Sequence, residues 1–459
     1  MNEKISSQTN PLGREDVAIL LRRFAPPAIA SNLVSALYNI VDQIFIGQGM
    51  GYLGNAATNV AFPLTTVCMC IGLMTGVGSA SVFNIESGKG NRDKMRMVCG
   101  CSLTALAAAG FLLLCLVNFF MEPMLLLFGA TAQNIGYART YISITAYGIP
   151  LLLFSTGGNQ LIRSDGSPLW SMMCMVSGAV LNIILDPLFI FRFHMGIAGA
   201  AWATVISQAA SAVLVLLYLP RFKTVRLRIK DFRLNLHIMW EFTSLGMTAM
   251  FNNLSSLIVQ IVLNNLLRSY GSGSVYGSDI PLAVAGVVTK INLIFTSLIL
   301  GIAQGAQPVN GFNTGAGNYH RVRQMYRLEF KVCAAVGLGA FLLFQCFTRP
   351  IISLFGNGNA LYMEFAYSYL RVFFMLTMLN GVQTVTTMFC SQIGNAKKGA
   401  LLALTKQIFL LVPLMFGMAA LWGVNGLKFA VPTADAAAFV ITMAAICREF
   451  KSMPSRPLA

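Results

Sequence analysis

Two acidic side chains, Asp42 and Asp186, are the acids placed deepest within long stretches of otherwise apolar sequence. Asp186 lies four residues after Asn182, and on a helix this spacing places both polar side chains on one face. Pro187 follows directly, and because proline has no N–H and its ring crowds a carbonyl of the preceding turn, we expect a kink there. The kink is predicted to expose backbone oxygen close to the carboxyl group.

A carboxylate inside an apolar membrane helix costs about 2.5–3.5 kcal/mol on insertion scales unless it faces a polar cavity. Burial disfavours its charged form, so such a group can take up a proton or hold a cation, as ion-coupled transport requires. The alternative is an acid at a helix end that caps the helix or reaches water. Neighbouring spans contribute neutral oxygen donors that could complete a small cation site, namely Asn39, Asn159, Asn182 and Thr204.

Lys290 is the basic residue placed nearest the middle of a predicted span in the second half. A buried lysine is also costly, and it could titrate or repel cations. The alternative is a side chain that extends to the membrane surface. The other polar residues that we single out within second-half spans are mostly uncharged amides, so we expect the ionisable chemistry to lie mainly in the first half.

The composition indicates an all-α polytopic membrane protein. Of 459 residues, 56% are hydrophobic and 10% are charged, far below the roughly 25% of soluble domains. Long apolar runs recur along the whole chain, as in helical membrane proteins. Twelve spans are predicted, at about 26–47, 57–83, 95–120, 135–160, 169–192, 197–219, 240–268, 280–307, 327–349, 361–390, 398–422 and 429–450.

The net charge of +16 is explained by membrane orientation and not by nucleic-acid binding, because the basic residues cluster in short loops between spans. With the N-terminus inside, the alternate segments 1–23, 84–97, 160–168, 220–233, 318–331, 394–406 and 448–459 hold 25 of the 32 Lys and Arg residues. We therefore predict a multi-pass protein of the plasma (inner) membrane with both termini cytoplasmic and no cleavable signal peptide.

An internal repeat divides the chain into two halves of six spans. Residues 123–129 (PMLLLFG) match 350–356 (PIISLFG), and 88–91 (GKGN) match 315–318 (GAGN), both at an offset of 227. Because six is even, the halves share one orientation, which is a parallel-repeat transporter architecture. The alternative is a coincidence of Gly and Pro in loops. We place the N-lobe at 1–225 and the C-lobe at 226–459.

Several functions lack their sequence signatures. There is no phosphate-binding G-x-x-x-x-G-K-[ST] motif, no H-E-x-x-H and no Cys/His cluster, so we predict neither an enzyme nor a resident cofactor. The ten cysteines lie mostly inside apolar runs and are interpreted as packed thiols. His194, His237 and His320 are predicted at span ends or in loops, exposed to solvent.

Four motifs, each in its expected span, resemble the MATE family of multidrug and toxic compound extrusion transporters, especially its MepA-like and DinF-like prokaryotic members. They are 38–47 (YNIVDQIFIG), 159–166 (NQLIRSDG), 182–187 (NIILDP) and 196–204 (GIAGAAWAT). The resemblance covers essentially the whole chain. It implies a V-shaped pair of six-helix lobes around a central cavity, and antiport in which protons or sodium ions enter as a drug leaves.

The resemblance also implies roles for individual residues. The family's first-lobe cation site, for a proton or Na⁺, maps onto Asp42, Asn182, Asp186 and Thr204, with the Ala200 carbonyl nearby. Tyr141 and Asn159 match polar residues of the family's cavity. We assign to the substrate cavity Tyr38, Asn39, Tyr141, Asn159 and Lys290. The sequence departs from the NorM-like branch, which has second-lobe acids, so no cation site is predicted in the C-lobe.

The resulting hypothesis is a secondary active efflux transporter that exports amphipathic or cationic organic compounds in exchange for H⁺ or Na⁺. Its predicted partners are small organic substrates and the lipid bilayer, with no nucleic acid, and the chain is expected to be a monomer. The first alternative is a lipid-linked oligosaccharide flippase of the same superfamily, which Lys290 favours and the two acids disfavour. An intramembrane enzyme or channel would need a catalytic constellation or a charged pore ring.

Overall fold

The computed structural model describes residues 10–131, 133–353 and 360–454. Twelve long helical segments account for most of this chain. They are α1 (Val17–Gly51), α2 (Leu53–Lys89), α3 (Arg92–Phe119), α4 (135–164), α5 (Pro168–Arg192), α6 (Gly196–Arg221), α7 (Leu236–Ser272), α8 (Asp279–Gly315), α9 (Tyr319–Cys346), α10 (360–392), α11 (Ala396–Asn425) and α12 (Leu427–Ser452). The prediction of twelve spans in two six-helix lobes is confirmed.

Most of these helices are longer than the apolar runs that predicted them. The first span was expected at 26–47, whereas α1 covers Val17–Gly51. Polar residues therefore continue the helices beyond the apolar part of each span. α1 and α2 follow one another almost directly and are separated by Gly51, whose φ of 64° is accessible to glycine at little cost. α1 remains helical through Pro26 and Pro27.

The internal repeat is visible in the backbone. α4 is interrupted by a 3₁₀ turn at Ala146–Gly148, and α10 is bent by 49° between Phe373 and Thr377. The matched loops contain glycines with positive φ, at 78° for Gly90 and 71° for Gly317. The predicted match to residues 350–356 extends into 354–356, which lie outside the described residues. The predicted lobe boundary falls in segment 222–235, between α6 and α7, and stays a prediction.

The lobes pack together at one end of the helix bundle. α1 and α2 of the N-lobe lie against α7 and α8 of the C-lobe, and glycines allow the closest approaches. A Cβ at Gly246 would collide with the Met74 carbonyl oxygen, and one at Gly305 would lie 2.5 Å from the Cα of Ala25. Small residues allow helix backbones to approach closely in membranes, and here they join the two lobes.

A polar seam accompanies these close contacts. The Arg163 guanidinium donates to the Gln304 Oε1 atom over 2.8 Å, and Asn32 Nδ2 donates to the same oxygen over 3.1 Å. Gln307 Nε2 donates to Ser81 Oγ over 3.2 Å. These contacts connect α1, α2 and α4 to α8 at the end where the predicted inside loops lie. We refer to this set of residues as the polar seam.

Candidate functional site

Asp42 and Asp186, which the family resemblance assigns to one cation site, lie close together in the N-lobe. Their carboxyl groups, one from α1 and one from α5, lie within hydrogen-bonding reach of each other. Asp186 is fully buried, and neither Asp42 Oδ1 nor Asp186 Oδ2 has a donor among the described residues. Neither acid forms an ion pair with a basic side chain among the residues that the structure describes. Two facing carboxyl groups cannot both stay ionised without a proton or another cation between them.

Neutral oxygen and amide groups surround the acid pair. Asn182 Nδ2 donates to Asp186 Oδ1 over 3.3 Å, from the preceding turn of α5. The Thr204 hydroxyl donates to the Ala200 carbonyl over 3.0 Å and also interacts with the Tyr141 hydroxyl. α4, α5 and α6 therefore bring Asn182, Thr204, Ala200 and Tyr141 close to the acids. These groups are the kind of hard, uncharged donors that suit a proton or Na⁺.

Tyr38 belongs to this site more closely than the predicted assignment to the substrate cavity implied. It lies one turn before Asp42 on α1, and its phenol experiences the charges of both Asp42 and Asp186. The Tyr141 phenol likewise experiences both charges and that of Tyr38. The two phenols thus line one side of the acid pair, where their hydroxyl groups can hydrogen-bond a bound cation's water or a protonated carboxyl.

Apolar side chains cover the acid pair on the side away from the polar seam. Ile46 and Ile190 lie one turn beyond Asp42 and Asp186, and they pack against each other and against Ala200 in a buried cluster. Phe45 and Phe191 make an edge-on contact above them, with ring centroids 6.2 Å apart. Sequence reasoning did not identify this cover, although residues four positions after each acid were available to suggest it.

The kink predicted at Pro187 takes a different form. α5 continues past Pro187 and widens into a π-helical turn at Leu188–Arg192, where the Phe193 N–H bonds to the Leu188 carbonyl. A π-helical turn rearranges the carbonyl ladder that proline leaves unpaired, and such turns are frequent at functional sites. The widened turn follows Asp186 immediately, so it places irregular backbone beside the buried carboxyl group.

The structure does not bring every predicted residue to this site. Asn159 is buried with neither amide atom partnered in the described chain, but it lies about five helical turns along α4 from Tyr141. Asn39 is exposed, and its amide group donates to the Ser35 carbonyl over 2.7 Å. Neither residue contacts the acid pair, so their assignment to the substrate cavity stays a prediction.

Lys290 is exposed, and the expectation of a buried lysine is wrong. It lies in the first third of α8. An α-helix rotates by about 100° per residue, so Lys290 and Gly301 differ by about 20° around the helix axis and share one face. Gly301 packs against Ile29 of α1. Lys290 is therefore on the face of α8 that turns towards the N-lobe.

The expectation that Asp42 and Asp186 are the deepest acids is also wrong, because other acids are equally buried, among them Glu329 and Asp435 in the C-lobe. Glu329 is fully buried on α9 and accepts a hydrogen bond of 2.6 Å from Asn310. Asp435 is 2% exposed on α12 and pairs with Lys406 of α11, with 2.8 Å between Nζ and Oδ1. Lys406 was counted in the predicted inside segment 394–406, so its charge appeared solvated.

These observations define a class of protein. Two six-helix lobes of one orientation meet at one end of a bundle, and an acid pair inside the first lobe is held by neutral donors. This is the architecture of a repeat-built membrane transporter with a pair of acidic side chains inside one lobe.

Comparison with known proteins identifies the family. The MatE family model matches residues 27–188 and 245–416, one match in each lobe, and the chain belongs to the MATE family. The multidrug export protein MepA of Staphylococcus saprophyticus is 24% identical over 422 residues, which is 90% of each chain.

Solved structures show the same fold. The MATE multidrug transporter DinF-BH, in complex with rhodamine 6G, is 33% identical, with a TM-score of 0.86 and 94% of this chain and 95% of that chain covered. An outward-facing multidrug resistance MATE transporter is 22% identical, with a TM-score of 0.88 and 99% of both chains covered.

Proposed function

We propose that this protein is a secondary active multidrug exporter that moves amphipathic, cationic organic compounds out of the cell in exchange for H⁺ or Na⁺. The observation that carries the ion coupling is the contact between the Asp42 and Asp186 carboxyl groups without a fixed cation. The MepA relatives are named as multidrug exporters, and the DinF-BH structure holds rhodamine 6G, which supports the substrate class.

The arrangement of the lobes supports an outward-open conformation. The glycine contacts and the polar seam lie at the end where the basic loops cluster, which the positive-inside rule places in the cytoplasm. With the lobes closed there, the cleft between them opens on the opposite side. Under this orientation both termini are cytoplasmic, and the protein resides in the plasma membrane.

The exchange follows from the physical demands of the acid pair. In the outward-open state a proton or Na⁺ binds between Asp42 and Asp186, because the facing charges attract a cation strongly. Binding there favours release of a cationic drug, since both ligands compete for the same negative charge. After the lobes reopen inward, the cation leaves and the next drug binds. Pro26 and Pro27 are the proposed bending point of α1 during this change.

The flippase alternative needs a cationic cavity for an anionic pyrophosphate. Lys290 is the residue that favours it, because it is exposed on the cleft-facing side of α8. One lysine opposite two buried carboxyl groups gives little net attraction for a doubly charged anion, so the exporter accounts better for the same residues. We propose that the transporter acts as a monomer and without a resident cofactor.

Dye efflux from proteoliposomes tests the proposal. Purified protein is reconstituted, rhodamine 6G is loaded, and either a pH gradient or a Na⁺ gradient is imposed. We expect wild-type protein to export the dye under one of the two gradients, and Asp186→Asn to lose this dependence because the neutral amide cannot exchange a cation. A matched variant, Asp279→Asn at the start of α8, changes an acid far from the site and should transport like wild type.

Two results would count against the proposal. Efflux by wild type under neither gradient would favour the flippase, which is then tested with lipid-linked substrates. Gradient-driven efflux that is unchanged in Asp186→Asn and in Asp42→Asn would show that coupling occurs elsewhere in the protein.

A further inference from the structure

The C-lobe contains a second carboxylate site that resembles the first in its surroundings. Asp435 is almost completely buried and accepts a hydrogen bond of 3.3 Å from Asn380 Nδ2, just as Asp186 accepts one from Asn182. Each acid is within one turn of a helix proline, Pro432 in the C-lobe and Pro187 in the N-lobe. An amide, a carboxylate and a helix proline therefore recur together.

The two sites occupy related positions in their lobes. At the repeat offset of 228, Lys406 corresponds to Gly178 on α5 and Asp435 to Ser207 on α6. Gly178 lies about one turn from Asn182 on α5, and Ser207 lies about one turn from Thr204 on α6. Because α5 and α6 run in opposite directions, both displacements move the site the same way, about 5 Å towards the polar seam. The C-lobe site thus lies in a related part of its lobe, about one turn deeper, although its acid is on α12 and corresponds to Ser207 and not to Asp186.

The difference between the sites is a lysine. Lys406 reaches Asp435 with 2.8 Å between Nζ and Oδ1, and its side chain is only 12% exposed. In the N-lobe the corresponding Gly178 packs so closely on α6 that an added Cβ would collide with Ser211 Oγ. A side chain at this position would require Ser211 to move. In α11, by contrast, a π-helical turn at Thr405–Leu411 contains Lys406 and widens the helix at this point.

Few other charges reach this site. Lys428 lies two turns before Asp435 on α12, where its ammonium donates to Ser368 Oγ over 2.9 Å, lies over the Phe365 ring and is under the influence of Glu364. From α10 the neutral Asn380 donates to Asp435, and from α7 the neutral Ser256 accepts a hydrogen bond from Gln407, the residue after Lys406. Among the described residues, Lys406 is the one cation in ion-pair contact with Asp435.

We propose that Lys406 is a tethered cation that permanently occupies a cation site formed by Asp435 and Asn380, so that this site exchanges no coupling ion. Removing the lysine opens this site to a monovalent cation from solution, either H⁺ or Na⁺. The inference rests on the proposed function for its meaning in transport, since it excludes Asp435 from the ion exchange that we assign to the acid pair of the N-lobe. The occupancy of the C-lobe site can be measured without transport.

The first experiment measures cation binding by thermal unfolding of purified protein in nanodiscs. All variants carry Asp186→Asn, which removes exchange at the N-lobe site. We expect Lys406→Met to gain a rise in unfolding midpoint on acidification or on addition of NaCl, because a ligand that binds only the folded state stabilises it. Choline chloride at equal ionic strength separates Na⁺ from salt in general. The matched control Lys406→Met/Asp435→Asn should show no such rise.

The second experiment measures stoichiometry in otherwise unmodified protein. The dye gradient that just balances an imposed ion gradient gives the number of ions exchanged per dye. We expect this number to increase by one in Lys406→Met and to stay at the wild-type value in Lys406→Met/Asp435→Asn. The charge-exchanged variant Lys406→Asp/Asp435→Lys keeps the pair and should keep the wild-type number, so it replaces Lys406→Met/Asp435→Asn as the control if that variant fails to fold. If Lys406→Met fails to fold, Lys406→Gln takes its place.

The proposal is overturned if the unfolding midpoints of Lys406→Met and Lys406→Gln do not depend on H⁺ or Na⁺. It is equally overturned if such a dependence remains after Asp435→Asn is added. A third contradicting result concerns the Asp186→Asn parent, in which Lys406 is intact. Its unfolding midpoint should not show a cation dependence that Asp435→Asn abolishes. Failure of the proposed function is a separate result, since it appears as absent gradient-driven efflux in wild type and leaves the unfolding experiment fully interpretable.

Discussion

The two lobes share their helices, their helix interruptions and their glycine turns, yet they differ in how buried charge is balanced. In the N-lobe two carboxyl groups face each other without a cation, whereas in the C-lobe Asp435 is neutralised by Lys406. A repeat can therefore keep its backbone while its two copies balance a buried carboxyl group in different ways. The lesson is that buried acids must be counted together with the cations they can reach.

A second group of buried polar residues occupies equivalent positions in the two lobes and also differs between them. Asn84 donates to Ser164 Oγ over 3.0 Å in the N-lobe, and Asn310 donates to Gln392 Oε1 over 2.8 Å at the corresponding place in the C-lobe. The C-lobe adds the buried Glu329 where the N-lobe has Ser102. The C-lobe thus holds a buried carboxyl group where the N-lobe has a hydroxyl group, while the N-lobe holds the buried Arg163 beside Ser164.

Neutralising the unpaired acid should have the largest effect on function. We expect Asp186→Asn to abolish ion-driven efflux of rhodamine 6G while the protein still folds, because Asn keeps the size of the side chain and relieves charge repulsion in the pair. Efflux rates in proteoliposomes and size-exclusion profiles measure the two effects. If Asp435→Asn folds normally and loses as much efflux as Asp186→Asn, the proposed difference between the two lobes is wrong.

Removing the paired acid should instead affect stability. Asp435→Asn leaves the buried Lys406 ammonium without its counter-charge, and breaking such a pair costs about 3–5 kcal/mol. Replacing both partners, as in Lys406→Met/Asp435→Leu, should recover most of this loss because two apolar residues can fill the space. Unfolding midpoints in detergent measure both. A double variant as unstable as Asp435→Asn would show that the charges themselves are needed.

Adding a side chain at a close glycine contact between the lobes should shift the equilibrium between the outward-open and inward-open conformations. Gly246→Ala places a Cβ against the Met74 carbonyl, and overpacking of this kind costs about 1–3 kcal/mol in the closed seam. We expect the lobes to separate there, with increased labelling of cysteines introduced on the cytoplasmic side. Gly286→Ala on α8 has open space around it and is the matched control. Unchanged labelling in Gly246→Ala would mean that the seam is not the closed gate.

Changing Lys290 should have the smallest effect. Because its side chain is exposed, Lys290→Gln removes a screened charge worth about 0.2–1 kcal/mol. A cationic dye should bind equally well or up to severalfold more tightly, as fluorescence anisotropy can measure. Loss of all transport in Lys290→Gln would instead favour the flippase and an anionic substrate.

The sequence predicted the fold well because its signals are local. Apolar runs, basic loops and glycine-rich repeats each report on one span or turn, and they placed twelve helices in two lobes. The proximity of Asp42 to Asp186 was expected only from the family resemblance, because the two acids are far apart in the sequence. The sequence missed the pair Lys406–Asp435, because Lys406 lies at the edge of an apolar run and its partner is on another helix.

Other parts of the site depended on packing that no local pattern reports. The cover over the acids requires Ile46 and Ile190 to meet across two helices. The π-helical turn after Pro187 replaced the expected kink, since the surrounding helices decide how a proline is accommodated. Acids such as Asp435, three residues after Pro432 in an apolar run, carry a signal that a search for prolines beside buried acids would find.

The central claim is that a cation and a drug compete at the acid pair of the N-lobe, and drug binding to purified protein tests it most directly. Rhodamine 6G is added to protein in weakly buffered detergent solution while released protons are measured with a pH indicator and released sodium with ²²Na⁺. We predict that wild-type protein releases one of these cations as the dye binds, and that Asp42→Asn/Asp186→Asn releases neither. Saturable dye binding to wild type with no release of either cation would contradict the account.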